Sequence, residues 1–372
     1  MPVTIMSANS FWNIVNFRTP LVRALVDQGH RVIIVAPGAD RGWAESHGAE
    51  AVEIGVDRSG RNPFRDGGLF LDYRRLFDRY APDFYLGYTA KPNVYGSLAA
   101  RLAGAISIPN VSGLGTAFMG DGLLSRFVGL LYRLAFRACP VVFFQNPDDR
   151  DLFTALRIVQ PQQAQVLPGS GIDLIYFAPA VPHADGVVRF LFIGRLLGDK
   201  GVREFVEAAR ILKRERPDWL FQLLGPIDED NRSGIREDEL RQWVGQKLVE
   251  HLGDAPDVRP HISAATAVVL PSYREGLPRS LLEGAAMARP LIATDVPGNR
   301  QIVEHGVNGL LCKARNPTSL AEAMLQMGTA GDERRAEMGR AGRAIAERDY
   351  GQERVIKAYL DAIAQLSPPA RV

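Results

Sequence analysis

The stretch that decides the fold class lies at the start of the chain, where residues 3–37 read VTIMSANSFWNIVNFRTPLVRALVDQGHRVIIVAP. Two short runs rich in β-branched residues, 3–6 and 31–37, enclose a helix-compatible segment at 20–26 that ends at Gly29. Because both runs are apolar, they predict central strands of a parallel sheet, which are buried on both faces. The order strand, helix, strand indicates an α/β fold.

The alternation of strands and helices continues through the first half of the chain and begins again in the second. Helix-compatible segments, among them 94–102, separate the strand-like runs. We predict further strands at 84–88, 108–111, 141–144, 188–194, 220–225, 267–271 and 290–294. Two series of similar length predict two facing, doubly wound Rossmann-like domains.

Length and composition agree with two domains and a core of ordinary size. The chain has 372 residues, of which 46% are hydrophobic and 23% charged, and a domain takes roughly 150 residues. We predict a first domain over 1–167, a linker rich in Pro and Gly over 168–187, and a second domain over 188–350. A C-terminal helix within 351–372 is expected to pack back across the domains.

Charge and cysteine usage exclude several classes of protein. The 44 basic and 42 acidic residues leave a net charge of +2, so no overall field draws the chain onto nucleic acid. Cys139 and Cys312 have neither metal-ligand spacing nor a disulfide pattern, which favours a reducing cytoplasm. The N-terminus does not read as a signal segment, and no apolar run reaches the ~18 residues of a spanning helix.

The most informative segment follows the predicted strand 267–271, since ligands of α/β sheets bind beyond the carboxyl ends of strands. A turn at Gly276, Leu277 and Pro278 leads into a helix that begins near Arg279. Backbone N–H groups at a helix start are unpaired and favour an anion. Gly276 lets a ligand approach the backbone closely.

Two glutamates flank this turn, Glu275 before it and Glu283 in the helix. Carboxylates accept hydrogen bonds from sugar or ribose hydroxyls but repel phosphate. The pair therefore favours recognition of hydroxyl groups. Periodicity alone also allows a solvated turn residue and a surface helix residue.

A second candidate site follows the predicted strand 188–194. Gly194 ends the strand, and Arg195 and Lys200 place two cations just after it. A guanidinium binds two oxygens at once and an ammonium acts as a point charge, which together suit a diphosphate. By itself the pattern fits a solvated loop equally well.

The two glutamates are separated by seven residues and embedded in Ser272-Tyr273-Arg274-Glu275-Gly276-Leu277-Pro278. This pattern after a buried strand resembles the signature of retaining glycosyltransferases of family 4, and the resemblance covers nearly the whole chain. It implies the type B glycosyltransferase fold of two Rossmann-like domains, a UDP-sugar as donor and no metal or other cofactor.

The resemblance also implies roles for the residues of the second half. Arg195 and Lys200 would hold the donor's phosphates, Glu283 would bind the ribose, and Glu275 would face the transferred sugar. Catalysis would rest on Glu275, Arg195 and Lys200. The implied donor-binding residues are Glu283, Gly276, Leu277, Pro278, Gly194 and Gly225.

The first half departs from the common family pattern. Ala8-Asn9-Ser10 stands where many members have two glycines, and Tyr88, Thr89 and Lys91 lie where many have a histidine. With 12–18 and 111–116, these residues resemble a subgroup that adds an N-acetylhexosamine or hexose to an undecaprenyl-diphosphate-linked sugar. The implied acceptor-binding residues are Asn13, Asn16, Arg18, Tyr88, Thr89 and Lys91, with Arg18 and Lys91 candidates for the acceptor's diphosphate.

A lipid acceptor requires contact with a membrane surface, and the stretch 123–137 is unusually apolar. Arg126, Arg133 and Arg137 follow one another at spacings of seven and four, which places them on one helical face. Arginines beside an apolar face suit an anionic bilayer. The alternative is a core helix with a solvated arginine stripe.

These observations predict a metal-independent, retaining glycosyltransferase at the inner face of the cytoplasmic membrane. Its partners would be a UDP-sugar, a polyprenyl-diphosphate-linked acceptor and an anionic membrane surface, and not nucleic acid. A nucleotide-sugar epimerase on the same fold and a non-catalytic nucleotide-sugar binding protein are the alternatives. A dehydrogenase is disfavoured because no Gly-x-Gly-x-x-Gly follows the first strand.

Overall fold

The protein consists of two compact units. A computed structural model describes residues 1–56, 63–113, 123–179, 185–229 and 231–366. The first unit comprises Met1–Ser170 and Gln352–Val372, and the second comprises Gly171–Gly351. The division after Ser170 falls inside the segment 168–187, of which 180–184 lie outside the described residues.

The first unit is built on two parallel sheets. Its strands are β1 (Val3–Ser7), β2 (Arg31–Val35), β3 (Ala49–Val52), β4 (Phe84–Gly87), β5 (Ile106–Ser107), β6 (Asn110–Val111), β7 (Val142–Phe144) and β8 (Ala164–Val166). Five strands pair in the order β3-β2-β1-β4-β5, and three in the order β6-β7-β8. A bridge between Tyr88 and Asn110 connects the two sheets.

Helices cover both faces of the five-stranded sheet. They are α1 (Phe11–Asp27), α2 (Arg41–Ser46), α3 (Pro63–Tyr80), α4 (Ser97–Ala103), α5 (Leu123–Phe136) and α6 (Pro147–Ala155), with a π-helical turn at Pro92–Gly96. Side chains alternate along each strand, so Met6 and Ile34 pack with α1, whereas Ile5 and Ile33 pack with α3 and α4. Both faces of the sheet are therefore core.

Helix α1 is longer than the segment predicted at 20–26, because it begins at Phe11. Ser10 caps this start by accepting a hydrogen bond from the backbone N–H of Asn13. Pro20 lies inside the helix, where it removes one backbone hydrogen bond. The buried stripe that runs through the helix offsets this loss and consists of Phe11, Ile14, Leu21, Val22 and Leu25.

The second unit has one parallel sheet between layers of helices. Its strands are β9 (Arg189–Ile193), β10 (Leu220–Leu224), β11 (Glu250–His251), β12 (Ala267–Leu270), β13 (Leu291–Thr294) and β14 (Gly309–Cys312). Its helices are α7 (Val202–Leu212), α8 (Glu237–Gly245), α9 (Arg259–Ala264), α10 (Arg279–Ala286), α11 (Asn299–Ile302), α12 (Pro317–Thr329) and α13 (Asp332–Asp349). The strand order is β11-β10-β9-β12-β13-β14.

The order of strands reverses at one place in each large sheet. In the first unit the reversal lies between β1 and β4, and in the second between β9 and β12. At such a point the loops after two neighbouring strands run in opposite directions and leave a crevice at the carboxyl edge, where ligands bind. The topology therefore marks one candidate ligand edge in each unit.

The C-terminal helix α14 (Gln352–Gln365) belongs to the first unit, although it follows the second in sequence. Its Tyr359 is fully buried, and the amide Nδ2 of Asn110 donates to the Tyr359 hydroxyl over 2.9 Å. The ring of Phe143 packs against Tyr359 at a centroid distance of 4.8 Å. Of the predicted segment 351–372, residues 367–372 lie outside the described residues.

The predicted α/β class with two doubly wound Rossmann-like sheets is confirmed. All nine predicted strands are present, with ends shifted by at most two residues. The sequence did not predict the short strands β3, β5, β8, β11 and β14. Within the described ranges, no helix is both long and apolar enough to cross a membrane.

Replacing Tyr359 tests whether α14 completes the core of the first unit. Tyr359→Ala removes a buried ring and is expected to lower the free energy of unfolding by about 3–5 kcal/mol. Lys357→Ala, on the exposed side of the same helix, should change it by less than about 0.5 kcal/mol. Urea unfolding of the full chain measures both, and equal losses for the two variants would contradict this packing.

Candidate active site

The carboxyl ends of β9 and β12 bring together the two segments that the sequence singles out in the second half. Strand β9 ends at Ile193 and strand β12 at Leu270, and the two strands are parallel neighbours. The loop 194–201 and the loop 271–278 therefore leave the sheet side by side. This is also the point at which the strand order reverses.

These two loops are locked against each other. The carbonyl of Asp199 accepts a hydrogen bond from the backbone N–H of Tyr273 over 2.9 Å. Gly201 has φ +76°, and a Cβ atom there would overlap the carbonyl of Pro271, so only glycine fits. The hydroxyl of Tyr273 donates to Oε1 of Glu204 over 2.6 Å and ties its loop to α7.

Two of the predicted catalytic residues form an ion pair with each other. The ammonium Nζ of Lys200 donates to Oε1 of Glu275 over 2.6 Å. The side chain of Glu275 is 10% exposed and that of Lys200 is 29% exposed. A carboxylate so far from water needs a partner, and Lys200 supplies it.

Arg195 lies on the same edge and also has a carboxylate partner. Its guanidinium donates to Oδ2 of Asp228 over 2.7 Å, and its side chain is half exposed. Asp228 belongs to the loop after β10, and this loop packs tightly on the loop after β9. A Cβ atom on Gly225, where φ is +142°, would overlap the carbonyl of Gly194.

Helix α10 begins at Arg279, as predicted, and carries Glu283 on its buried side. Pro278 stands at the N-cap, where its ring offers no oxygen to the N–H groups of the first turn. Nε of Arg279 donates to Oε1 of Glu283 over 3.1 Å. Burial raises the pKa of Glu283, and the neighbouring Arg279 opposes that rise.

At the carboxyl edge of the first unit, Arg18 is buried against an aromatic ring. Its side chain is 3% exposed, and its guanidinium lies 4.4 Å from the ring centroid of Tyr88, which is fully buried. No ion pair of Arg18 is present among the residues that the structure describes, and its Nε has no hydrogen-bond partner there. The cation is held by the π-system rather than by a carboxylate.

Two further predicted acceptor residues carry buried polar atoms at this edge. Oδ1 of Asn13 and Oγ1 of Thr89 have no hydrogen-bond partner in the described part of the chain. Thr89 has φ +68°, which is strained for a β-branched residue. Strain and unpaired polar atoms at a ligand edge are typical of a binding site.

Lys91 and Asn16 differ from these residues because both are already engaged. Nζ of Lys91 donates to Oδ1 of Asp66 over 2.6 Å, and the hydroxyl of Tyr95 donates to the other carboxylate oxygen. Asn16 is exposed, and its Nδ2 donates to the carbonyl of Trp12. The predicted segment 111–116 is described only as far as residue 113.

Helix α5 exposes apolar side chains on one face and buries them on the other. Phe127, Leu130 and Leu134 are 57%, 48% and 45% exposed. Tyr132 and Phe136 on the opposite face are buried. A helix that serves only the core would not leave three large apolar side chains in water, so this face is an apolar surface that no described residue covers.

Arg126 and Arg133 lie on the exposed face of α5 and Arg137 directly follows its last residue, but the three predicted arginines are not equivalent. Arg126, Arg133 and Arg137 are all exposed. Arg133 donates to the carbonyls of Leu156 over 2.7 Å and Arg157 over 3.0 Å, at the end of α6. Among the described residues, the guanidinium groups of Arg126 and Arg137 have no hydrogen-bond or ion-pair partner, so these two cations are open to a ligand.

The sequence did not reveal the partners of the predicted cations. Asp228 lies 33 residues from Arg195 and Asp66 lies 25 residues from Lys91, and only the folded sheet brings them together. The pairing of Arg279 with Glu283 had a signal, because residues four apart on a helix are neighbours. Trp12, which is exposed at the start of α1, lies in the segment 12–18 that carries the subgroup resemblance, but the sequence assigned it no role.

Comparison with family models assigns each half of the chain to one glycosyltransferase domain. Residues 16–169 match the model described as "Glycosyl transferase 4-like domain". Residues 188–329 match the model described as "Glycosyl transferases group 1".

Curated relatives include two enzymes with lipid-linked acceptors. The N,N'-diacetylbacillosaminyl-diphospho-undecaprenol α-1,3-N-acetylgalactosaminyltransferase of Campylobacter jejuni is 28% identical over 331 residues, 83% of this chain and 85% of that protein. The UDP-Gal:α-D-GlcNAc-diphosphoundecaprenol α-1,3-galactosyltransferase of Escherichia coli is 26% identical over 279 residues, 71% of this chain and 70% of that protein.

Solved structures with this fold include two cyanobacterial proteins. HepE of Anabaena in complex with UDP superposes with a TM-score of 0.75 over 98% of this chain and 100% of that chain, at 17% identity. Sucrose-phosphate synthase of Thermosynechococcus elongatus gives a TM-score of 0.80 over 98% and 99%, also at 17% identity. At this identity the likeness concerns the fold.

The burial of Glu283 predicts a pH-dependent stability. Because burial raises its pKa above the ordinary 4.5, the folded protein holds a proton that the unfolded chain has released. The contribution of Glu283 to the free energy of unfolding is therefore largest at pH values below the ordinary pKa of 4.5. This contribution falls as the pH rises through the raised pKa of the folded protein. Relative to Glu283→Gln, the wild type should lose stability over this window and then level off.

Urea unfolding at a series of pH values measures this difference. Glu322→Gln, an exposed glutamate on α12, is the matched control and should follow the wild type. Parallel curves for the wild type and Glu283→Gln would contradict the assigned effect of burial.

Proposed function

Because this chain belongs to the glycosyltransferases whose group 1 and 4-like domains its two halves match, we propose that it transfers a hexose or N-acetylhexosamine from a UDP-sugar to a saccharide on polyprenyl diphosphate, with retention of configuration. This membership agrees with the resemblance to family 4 glycosyltransferases that the motif around Glu275 and Glu283 indicates. The epimerase alternative gains no support, since the relatives named above are transferases.

The observation that carries the proposal is the contact between Lys200 and Glu275 at the adjoining carboxyl ends of β9 and β12. A cation for phosphate and a carboxylate for hydroxyl groups meet there within hydrogen-bond distance. Arg195 adds a second cation on the same edge. A nucleotide diphosphate sugar needs this combination in a single site.

Donor binding is then an exchange of partners. The diphosphate draws Lys200 away from Glu275, and the freed carboxylate accepts hydrogen bonds from the hydroxyls of the donor sugar. Arg195 leaves Asp228 in the same way, at low cost because both side chains are partly exposed. Glu275 is thereby available to a sugar only when phosphate is bound beside it.

In the transfer step the bond between the sugar's anomeric carbon and the β-phosphate oxygen breaks. The acceptor hydroxyl oxygen bonds to the same carbon, and its proton passes to the departing phosphate on the same face. Negative charge grows on the diphosphate, where Lys200, Arg195 and the N–H groups at the start of α10 stabilise it. We propose that these groups serve without a metal ion.

The acceptor belongs to the first unit in this proposal. At the edge of β1 and β4, within the part of the chain that the structure describes, Asn13 and Thr89 offer buried polar atoms without partners, and Arg18 is a cation without a carboxylate. A bound anion would offset the cost of burying that charge. Arg18 is therefore a better candidate than Lys91 for the acceptor's diphosphate, because Asp66 already neutralises Lys91.

A polyprenyl chain brings its glycan to the inner face of the cytoplasmic membrane, and α5 supplies a surface for it. Phe127, Leu130 and Leu134 form an exposed apolar stripe beside Arg126 and Arg137. An apolar stripe with arginines at its border suits the headgroup region of an anionic bilayer. We propose that α5 lies on this surface.

The ion pair between Lys200 and Glu275 can be tested with two variants that should differ in their effect on UDP binding. Lys200→Ala should lower transfer about 100- to 1000-fold, as loss of one charge-stabilising group does, and weaken UDP binding. Glu275→Gln should lower transfer to a similar extent but bind UDP as well as or better than the wild type. UDP has no sugar for Glu275 to bind, and the Glu275 carboxylate competes with the diphosphate for the ammonium of Lys200. Calorimetry with UDP and turnover assays measure both effects.

Lys213→Ala is the matched control, since Lys213 follows the opposite end of α7. It should bind UDP and turn over like the wild type. Near-normal turnover by Lys200→Ala would overturn the phosphate role. Equal weakening of UDP binding by Lys200→Ala and Glu275→Gln would overturn the exchange.

Charge reversal on α5 tests the membrane surface. The double variant Arg126→Glu, Arg137→Glu should no longer sediment with vesicles of anionic phospholipid. Arg133 is left unchanged because it holds the end of α6. The control Arg75→Glu, Arg101→Glu makes the same charge change at exposed positions on α3 and α4 and should still sediment. Equal sedimentation of both double variants would contradict the proposal that α5 lies on the membrane surface.

A further inference from the structure

Trp12 is a large aromatic side chain that the structure leaves 63% exposed. It lies in the first turn of α1, directly after β1, at the edge where the strand order of the first unit reverses. Loops and helix starts at this edge are where an α/β sheet binds its ligand. Most of the indole surface at this position is therefore available to a ligand.

The indole is held in a defined orientation. The ring of Phe17 packs against it at a centroid distance of 5.2 Å and an angle of 89°. Nδ2 of Asn16 donates to the carbonyl of Trp12 over 2.9 Å and fixes the same turn. A ligand that binds the exposed ring surface therefore does not have to order the side chain first, which favours affinity.

Polar groups lie at the same edge of the sheet as Trp12. Asn13 and Asn16 lie on the same two turns of α1, and Oδ1 of Asn13 is a buried acceptor without a partner in the described residues. Thr89 follows the neighbouring strand β4, and its hydroxyl oxygen also has no partner there. An exposed aromatic face and amide and hydroxyl groups at one edge suit a pyranose, which has an apolar C–H face and a rim of hydroxyls.

We propose that Trp12 stacks on a sugar ring of the acceptor saccharide and selects acceptors by the C–H face that they present. This inference rests on the proposed function and adds a specificity-determining residue to it. The C–H groups carry partial positive charge and meet the negative face of the indole. A polyprenyl tail fits Trp12 less well, because a tail needs a continuous apolar surface. The protein offers such a surface on α5 instead.

The test compares Trp12→Ala and Trp12→Phe with the wild type on two acceptors. One is an N-acetylhexosamine diphosphate on a short, water-soluble prenyl chain, and the other is the same headgroup on a long chain in vesicles. Trp12→Ala should raise the acceptor KM about tenfold or more on both, as expected for the loss of one aromatic stack. Trp12→Phe should have an acceptor KM close to that of the wild type, and kcat should change little in both variants.

Two controls separate this role from a structural one. Calorimetric UDP affinity should be the same in all Trp12 variants, because Trp12 belongs to the other unit. Leu102→Ala removes a side chain that is 65% exposed at the C-terminal end of α4, and it should leave transfer unchanged.

Two results of the KM comparison would overturn the inference. A higher KM on the vesicle acceptor alone would assign Trp12 to the lipid. Equal KM values for the wild type and Trp12→Ala on the soluble acceptor would remove it from the acceptor site. If the wild type transfers no sugar to either acceptor, the proposed function fails. In that case calorimetry with the soluble acceptor tests stacking by Trp12 separately. Equal acceptor affinity of the wild type and Trp12→Ala would reject stacking.

Discussion

The ion pair between Lys200 and Glu275 is the interaction on which the site of the second unit depends. Its members are 75 residues apart in the chain and 2.6 Å apart in the fold. They meet because β9 and β12 are neighbours in the sheet although two strands separate them in sequence. A carboxylate that is 10% exposed then requires the ammonium beside it.

The loops that carry the pair have little freedom to move independently. The close approach at Gly201 and the backbone bond from Tyr273 to Asp199 fix the two loops to each other. The backbone that carries the pair is therefore pre-organised, and in the proposed exchange the side chains of Lys200 and Arg195 change partners while the loops stay in place. The first unit differs, because its edge holds Arg18 on an aromatic ring, and polar atoms of Asn13 and Thr89 find no partner there among the described residues.

The sequence predicts the frame of this site better than its contacts. Apolar runs that end in glycine or proline predicted β9 and β12, and the loops that follow them carry the motif residues. The partners Asp228 and Asp66 were not predictable, because an ion pair across 25 or more residues is set by the topology of the sheet. The start of α1 was missed because Pro20 reads as a helix start, whereas a buried stripe carries the helix through it.

Product analysis tests whether this chain is a retaining transferase that acts on a lipid-linked saccharide. A panel of UDP-sugars is incubated with N-acetylhexosamine linked to polyprenyl diphosphate, and the product is examined by mass spectrometry and by the anomeric coupling in NMR spectra. The account predicts that one hexose or N-acetylhexosamine is added to the lipid-linked saccharide, with the anomeric configuration of the donor. An inverted linkage would contradict the retaining step. An epimerised UDP-sugar with no addition to the lipid would contradict the account as a whole.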